Sequence, residues 1–192
     1  MLSDEVLAGW LSAAAEGGIL GVSVAQLHLG GASAGANLSA GVAGRLKTGM
    51  LPQPASLILV YPVLHGVLPP AGSEAAAAFE GLAPELRFTP GFVEATNVNY
   101  VGDPSRLDDP VAFPANGTLD GLPPTLVLNA EADALRSSGE AYAALLAEAG
   151  VEVEVGFEPE TVHGYLDDLG LPSAIVSLDR IAQWILGDHG VG

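Results

Sequence analysis

A serine between two glycines is the residue of this chain best placed to do chemistry. Ser33 is the centre of the pentapeptide GASAG at residues 31–35, which has the form G-x-S-x-G. A hydrophobic run at 22–30 precedes it, and a small-residue stretch at 34–47 with helical character follows it. The small flanking residues let backbone segments approach closely and let φ become positive. The pattern therefore predicts a sharp strand–turn–helix that exposes the serine hydroxyl as a nucleophile.

A nucleophilic serine needs a base that takes its proton and an acid that orients the base. Candidates for both follow later predicted strands, at the sheet edge where parallel strands place ligands. Asp133 follows a strand predicted at 125–130, and Glu131 is a rival acid nearer that strand. His163 follows a strand predicted at 151–155 and precedes a glycine. The order serine, acid, histidine is one of the known orders of hydrolytic triads.

The other histidines are weaker candidates for the base. His28 falls inside the first predicted strand, which is typical of a sheet residue. His65 follows the second predicted strand, at the same edge as Ser33, and is a candidate for the pocket wall. His189 lies close to the last residue. No spacing of histidines and carboxylates indicates a metal site and no glycine-rich phosphate motif occurs, so we predict neither metal nor cofactor.

Charge and composition exclude several kinds of partner. The 192 residues include 23 acidic and 6 basic side chains, for a net charge of −17. This balance argues against binding to nucleic acid or to an anionic membrane surface. No uninterrupted apolar stretch reaches about 18 residues, so we predict no membrane-spanning helix. The start of the chain lacks the basic region of a secretion signal and there are no cysteines, so we expect a cytoplasmic protein.

Strand-like and helix-like patterns alternate along the chain and predict one α/β domain over residues 1–192 with a mostly parallel sheet flanked by helices. The predicted strands are 22–30, 56–61, 125–130 and 151–155. The second is apolar throughout, as expected for a strand buried on both faces, and the fourth alternates, as expected for an edge strand. Residues 65–124 form a predicted insertion of loops with short helices at 74–79 and 90–100. We expect this insertion to serve as lid or pocket wall.

Helix ends and faces are predicted from capping residues and apolar spacing. Ser3 is a predicted cap of the first helix, and Ser137 with Glu140 has capping-box spacing. A last helix is predicted from Pro172 onward. Its predicted buried stripe consists of Ile175, Leu178, Ile181, Trp184 and Ile185.

Several segments in order along the chain resemble one protein family. They are residues 30–38, 61–62, 121–125, 131–136, Tyr142, 149–151 and 163–166. Together they resemble the hormone-sensitive lipase family of α/β-hydrolases, which includes many bacterial carboxylesterases, over residues 4–186. The resemblance implies hydrolysis of small carboxylic esters through an acyl-enzyme. It implies that Ser33 is the nucleophile, His163 the general base and then acid, Asp133 the group orienting His163, and the Ala34 N–H an oxyanion-hole donor.

One family motif does not occur in this sequence. The resemblance implies a His-Gly-Gly-Gly segment upstream of the nucleophile, which supplies further oxyanion donors, and no such segment is present. We therefore expect a partial α/β-hydrolase fold, the C-terminal part of the family fold, whose first strand lacks a neighbour on one side. Such an edge favours homo-oligomers. Loss of one oxyanion donor lowers rates by about 10²–10³, so we expect an impaired enzyme.

The residues leave two other functions open. One alternative is a non-catalytic remnant of a hydrolase that acts only in binding or association. Hydrolysis of amides or lactones on the same scaffold is the other alternative, since it uses the same acyl-transfer chemistry.

Overall fold

A parallel sheet forms the centre of the molecule. The computed structural model describes residues 2–17, 19 and 21–187, so His189 lies outside the described residues. The strands are β1 (Leu29–Ala32), β2 (Leu57–Val60), β3 (Thr125–Ala132) and β4 (Val153–Val162). They pair in parallel in the order β1-β2-β3-β4. The predicted α/β class is confirmed, as is the edge position of the fourth strand within the described sheet.

Six α-helices flank this sheet in the described part of the chain. They are α1 (Leu2–Glu16), α2 (Ala34–Thr48), α3 (Ser73–Glu80), α4 (Pro90–Val101), α5 (Arg136–Glu148) and α6 (Pro172–Leu186). Short 3-10 turns occur at Val24–Gln26, Pro84–Leu86, Pro104–Arg106, Pro114–Asn116 and Tyr165–Asp167. The two short helices predicted within 65–124 are confirmed as α3 and α4. None of the described helices combines the length and apolar character needed to cross a membrane.

The core lies on both faces of the sheet. Leu57 and Leu59 of β2 face α2 and α5, where they pack with Tyr142 and Leu146. Ile58 and Val60 face the opposite side, where Trp184 of α6 covers the sheet. All residues of β2 are buried, which confirms the prediction from its unbroken apolar run. A smaller cluster joins α1 to α2 through Trp10, Val42 and Leu46.

The first strand is shorter than predicted, and the prediction over 22–30 is wrong. A 3-10 turn occupies Val24–Gln26, because the Gln26 side chain accepts the backbone N–H of Ser23 at 2.9 Å. His28 consequently precedes β1 rather than lying in it. Its Nδ1 is 2.7 Å from Ser56 Oγ, a contact that joins the segments entering β1 and β2.

Both predicted helix caps are wrong. Ser3 lies inside α1, where it is buried and accepts a hydrogen bond from Arg45 at 3.0 Å. Ser137 also lies within its helix, and its hydroxyl donates to Ala134 O at 3.2 Å. Glu140 cannot complete a capping box, because its carboxylate binds Arg136 at 2.7 Å.

The buried face of α6 is rotated from the predicted stripe. Trp184 is buried and Ile181 packs against the core, but the other predicted members, Ile175, Leu178 and Ile185, are exposed. The side chains that turn inward are instead Ala174 and Ser177. A small residue there brings the helix close to the sheet, and the Ser177 hydroxyl lies 2.7 Å from Tyr165 Oη. The inward face of α6 therefore combines small and polar side chains with Trp184.

Candidate active site

The turn that carries Ser33 is as sharp as the pentapeptide predicts. Ser33 joins the end of β1 to the start of α2 with φ 54° and ψ −118°, a conformation that residues with a Cβ rarely adopt. Its N–H donates to Val60 O at 2.8 Å, which ties the turn to β2. A Cβ on Gly31 would lie 2.5 Å from the carbonyl carbon of Gly35. Glycine is therefore required where the strand and the helix cross.

Three of the predicted site residues come together at this turn. Ser33 Oγ lies 2.9 Å from His163 Nε2, although 130 positions separate the two in the sequence. His163 Nδ1 lies 2.8 Å from Asp133 Oδ2. The Asp133 side chain is 1% exposed and that of His163 is 16% exposed, and Asp133 Oδ1 accepts the N–H of Leu135. We call Ser33, His163 and Asp133 the triad.

Two aromatic rings contact the His163 imidazole in edge-to-face geometry. The Tyr61 ring is 4.9 Å from it at an interplanar angle of 60°, and the Phe88 ring is 5.1 Å from it at 69°. Burial, with a smaller contribution from the charge of Asp167, raises the pKa of Tyr61 to about 12, so its phenol remains neutral. Phe88 belongs to the 65–124 insertion and contacts Phe92 at 5.7 Å. No local sequence signal identifies Phe88, because its exposed loop meets His163 only in the tertiary structure.

The rival acid Glu131 is directed elsewhere. Its carboxylate accepts the backbone N–H of Glu160 at 2.7 Å, and its own N–H donates to Thr161 Oγ at 3.2 Å. Both contacts are to β4, whereas the carboxylate that accepts a hydrogen bond from the His163 ring is that of Asp133. The two acids are only two residues apart, yet they perform different structural tasks.

His65 also meets a serine, but not Ser33. Its Nδ1 is 2.9 Å from Ser138 Oγ, and that hydroxyl accepts the N–H of Leu64. Burial lowers the pKa of His65 below its usual value. The histidine expected as pocket wall therefore bridges the exit of β2 to α5.

The predicted oxyanion donor, Ala34, is the first residue of α2. The N–H groups in the first turn of a helix have no acceptor within it, and the helix dipole makes this end attractive to negative charge. Asn37, one turn further, is buried and donates to Val63 O and Ala112 O, both at 2.8 Å. These bonds tie the start of α2 to the segment that follows β2 and to the 65–124 insertion.

Two further features bear on ligand sites. Among the described residues, no three histidine or carboxylate side chains are grouped so that they could hold a metal ion. One cavity of about 610 Å³ lies between α2 and residues 110–122, with Gly44, Leu119 and Tyr142 in its wall. Its wall includes none of the triad, so the reactive groups lie outside this cavity.

Comparison with protein families and curated sequences gives a consistent result. A family model described as alpha/beta hydrolase fold matches residues 2–167. Carboxylesterase NlhH of Mycobacterium tuberculosis is 34% identical over 164 residues, which cover 84% of this chain and 50% of that protein. Esterase LipU of the same organism is 30% identical over 177 residues, 87% of this chain and 56% of that protein. The chain thus spans about half the length of the curated relatives it matches.

Solved structures of esterases superimpose well on this chain. EstE1, a thermostable carboxylesterase cloned from a metagenomic library, gives a TM-score of 0.83 at 27% identity, covering 95% of this chain and 62% of that one. A fungal esterase from Rhizomucor miehei gives a TM-score of 0.81 at 30% identity, with coverage of 96% and 57%.

Proposed function

Because this chain belongs to the alpha/beta hydrolase family whose model matches residues 2–167, we propose that it hydrolyses small carboxylic esters through an acyl-enzyme on Ser33. The observation that carries the proposal is the unbroken hydrogen-bonded series from Asp133 through His163 to Ser33, which ends on a strained turn. The relatives NlhH and EstE1, named as carboxylesterases, support an ester as the substrate class.

In the proposed first half-reaction, Ser33 Oγ attacks the ester carbonyl carbon while His163 Nε2 takes the hydroxyl proton. Asp133 accepts the Nδ1–H of the imidazole, so the lone pair of Nε2 faces the serine. The tetrahedral intermediate then collapses when the imidazolium donates its proton to the alcohol oxygen that leaves. The acyl group stays on Ser33.

The second half-reaction repeats these steps with water. His163 Nε2 takes a proton from water, which attacks the acyl-enzyme carbonyl, and returns it to Ser33 Oγ as the carboxylic acid leaves. The negative oxygen formed in each half-reaction is assigned to the Ala34 N–H, at the positive end of α2. Phe88 lies beside His163 and contacts Phe92, and these two exposed rings offer an apolar wall suited to the alkyl part of a small ester.

Hydrolysis of p-nitrophenyl butyrate tests the proposal directly. We expect the wild-type chain to release nitrophenolate and a Ser33→Ala variant to lose that activity, because the variant has no oxygen to acylate. Thermal unfolding of both proteins controls for folding, and covalent labelling by a fluorophosphonate reports the reactivity of Ser33 independently of turnover. Equal rates in the two proteins, with no labelling, would contradict the proposal and favour a role in binding alone.

A further inference from the structure

Strands β3 and β4 lose their one-to-one register immediately before the triad. Ala130 pairs with Glu158, but Ala132 pairs with Val162. Between these two pairs β3 has the single residue Glu131, whereas β4 has three residues, 159–161. Strand β4 therefore contains two extra residues, and residues 159–161 form a bulge opposite Glu131. Glu160, the middle residue of this bulge, has φ 58°, which is unfavourable for a residue with a Cβ.

The bulge determines which residue reaches Asp133. If the pairing of Ala130 with Glu158 continued one-to-one, the residue opposite Asp133 would be Thr161. Because β4 contains two extra residues, the residue opposite Asp133 is His163 instead. Its Nδ1 lies 2.8 Å from Asp133 Oδ2. A regular strand pair with the same sequence would separate the acid from the base.

Glu131 holds the middle and the last residue of the bulge. Its carboxylate accepts the N–H of Glu160 at 2.7 Å, and its N–H donates to Thr161 Oγ at 3.2 Å. The Thr161 hydroxyl in turn donates to Glu158 O at 2.6 Å, and Thr161 is 3% exposed. The carboxylate is thus the side-chain acceptor at the strained residue, and it stabilises a backbone conformation that the chain would otherwise avoid.

From this geometry we propose that Glu131 is a positioning residue that keeps His163 in register with Asp133. The inference rests on the proposed function, in which Asp133 orients His163. Glu131 is hydrogen-bonded to neither Ser33 nor the His163 ring; it acts through the backbone N–H of Glu160 and the hydroxyl of Thr161. Its side chain supplies a hydrogen-bond acceptor for the N–H of Glu160, and its negative charge is not required.

Two variants of Glu131 separate the acceptor from the charge. Glu131→Ala removes the acceptor, and we expect kcat to fall about 10- to 100-fold with KM nearly unchanged, because a small misplacement of the base slows chemistry rather than binding. Glu131→Gln keeps a carbonyl oxygen at the same reach and is expected to retain kcat within about threefold. An equal loss in both variants would overturn the proposal.

A third variant tests the bulge itself. Glycine adopts positive φ without a steric cost, so adding Glu160→Gly to Glu131→Ala is expected to restore part of the lost kcat. This double variant also provides a folded protein if Glu131→Ala alone unfolds. A double variant no more active than Glu131→Ala, or a Glu131→Ala protein with wild-type kcat, would contradict the proposal.

A readout that does not depend on turnover is the far-downfield proton resonance of the His163 Nδ1–H bonded to Asp133, assigned by its loss in Asp133→Asn. We expect the resonance in wild type and in Glu131→Gln, and its broadening or loss in Glu131→Ala at unchanged far-UV circular dichroism. An unchanged resonance in Glu131→Ala would overturn the positioning role. A wild-type chain without esterase activity would instead count against the proposed function, and the resonance would still decide the role of Glu131.

Discussion

Two serine–histidine pairs in the described part of the chain have the same oxygen–nitrogen separation, and their surroundings differ. Ser33 Oγ is 2.9 Å from His163 Nε2, and Ser138 Oγ is 2.9 Å from His65 Nδ1. Ser33 is half-buried on a strained turn, whereas Ser138 is fully buried within α5. Asp133 binds the second nitrogen of His163, and in the described part of the chain no carboxylate is hydrogen-bonded to His65. A short oxygen–nitrogen distance therefore does not identify a nucleophile; access and an orienting acid do.

The second pair has a structural task. The Ser138 hydroxyl accepts the N–H of Leu64 at 2.9 Å while it contacts His65. Burial favours the neutral ring by lowering the pKa of His65. The pair thus satisfies polar groups where the chain leaves β2, and its chemistry is that of a buried hydrogen bond.

Removing the acid from the first pair leaves its histidine without an orienting carboxylate, like the histidine of the second pair. We expect this change to lower activity more than any other variant discussed below that keeps Ser33. We expect Asp133→Asn to lower kcat on p-nitrophenyl butyrate by about 10⁴, because the amide favours the wrong imidazole tautomer. Asp179→Asn, at an exposed position of α6, is the matched control and should leave kcat unchanged. Similar kcat values in Asp133→Asn and Asp179→Asn would show that the orienting acid does not distinguish the first pair from the second.

Disturbing the strained turn should have the next largest effect. Gly31→Ala places a Cβ 2.5 Å from a backbone carbon, and we expect a loss of about 3 kcal/mol in the free energy of unfolding. Gly35→Ala is the control, because a Cβ there meets nothing within 4 Å beyond its chain neighbours and the backbone of α2, and alanine favours a helix by up to about 1 kcal/mol. Urea unfolding measures both, and equal stabilities would show that the turn tolerates a side chain.

Removing the hydroxyl of the second pair should affect stability but not turnover. Ser138→Ala leaves the buried N–H of Leu64 and the His65 ring without this partner, at a cost of about 1–3 kcal/mol. We expect kcat to remain within about twofold of wild type. Ser33→Ala should show the reverse pattern, with activity lost and little change in stability. A drop in kcat for Ser138→Ala would contradict the purely structural role of the second pair.

The smallest effect concerns pH. The pKa of His65 lies below its ordinary value of 6.5 in the folded protein, so the unfolded chain takes up this proton first as pH falls. The stability contributed by the neutral ring is present above pH 6.5 and is lost as pH falls below it. We expect His65→Asn, which keeps a partner for Ser138, to lose less stability than wild type between about pH 7 and pH 5. Parallel loss in both proteins would contradict this expectation.

Some features of the site could be predicted because they depend on near neighbours. The turn at Ser33 requires small residues within two positions on either side, and Gly31 and Gly35 are there in the sequence. The burial of β2 follows from its unbroken apolar run. The prediction for β1 missed a signal that is also local: Ser23 and Gln26 have capping-box spacing, and their contact opens a 3-10 turn where strand was expected.

The choice of acid shows where reasoning from residue type and position ends: it left Asp133 and Glu131 as rivals, and the family resemblance singled out Asp133. Asp133 and Glu131 are the same kind of group two residues apart, and both follow the buried part of β3. Which one faces His163 depends on two extra residues in β4 and on Glu160 at positive φ. Glu160 is neither glycine nor asparagine, so nothing in its type indicates this conformation.

By itself, the sequence determined the order of strands and helices, the insertion between 65 and 124, and the nucleophile turn, since each depends on residues close together in the chain. The tertiary structure decided that His163 and not His65 meets Ser33, that Asp133 and not Glu131 meets His163, and that Phe88 covers the ring. These contacts depend on the register between strands and on the packing of an inserted segment, which are collective properties of the folded chain.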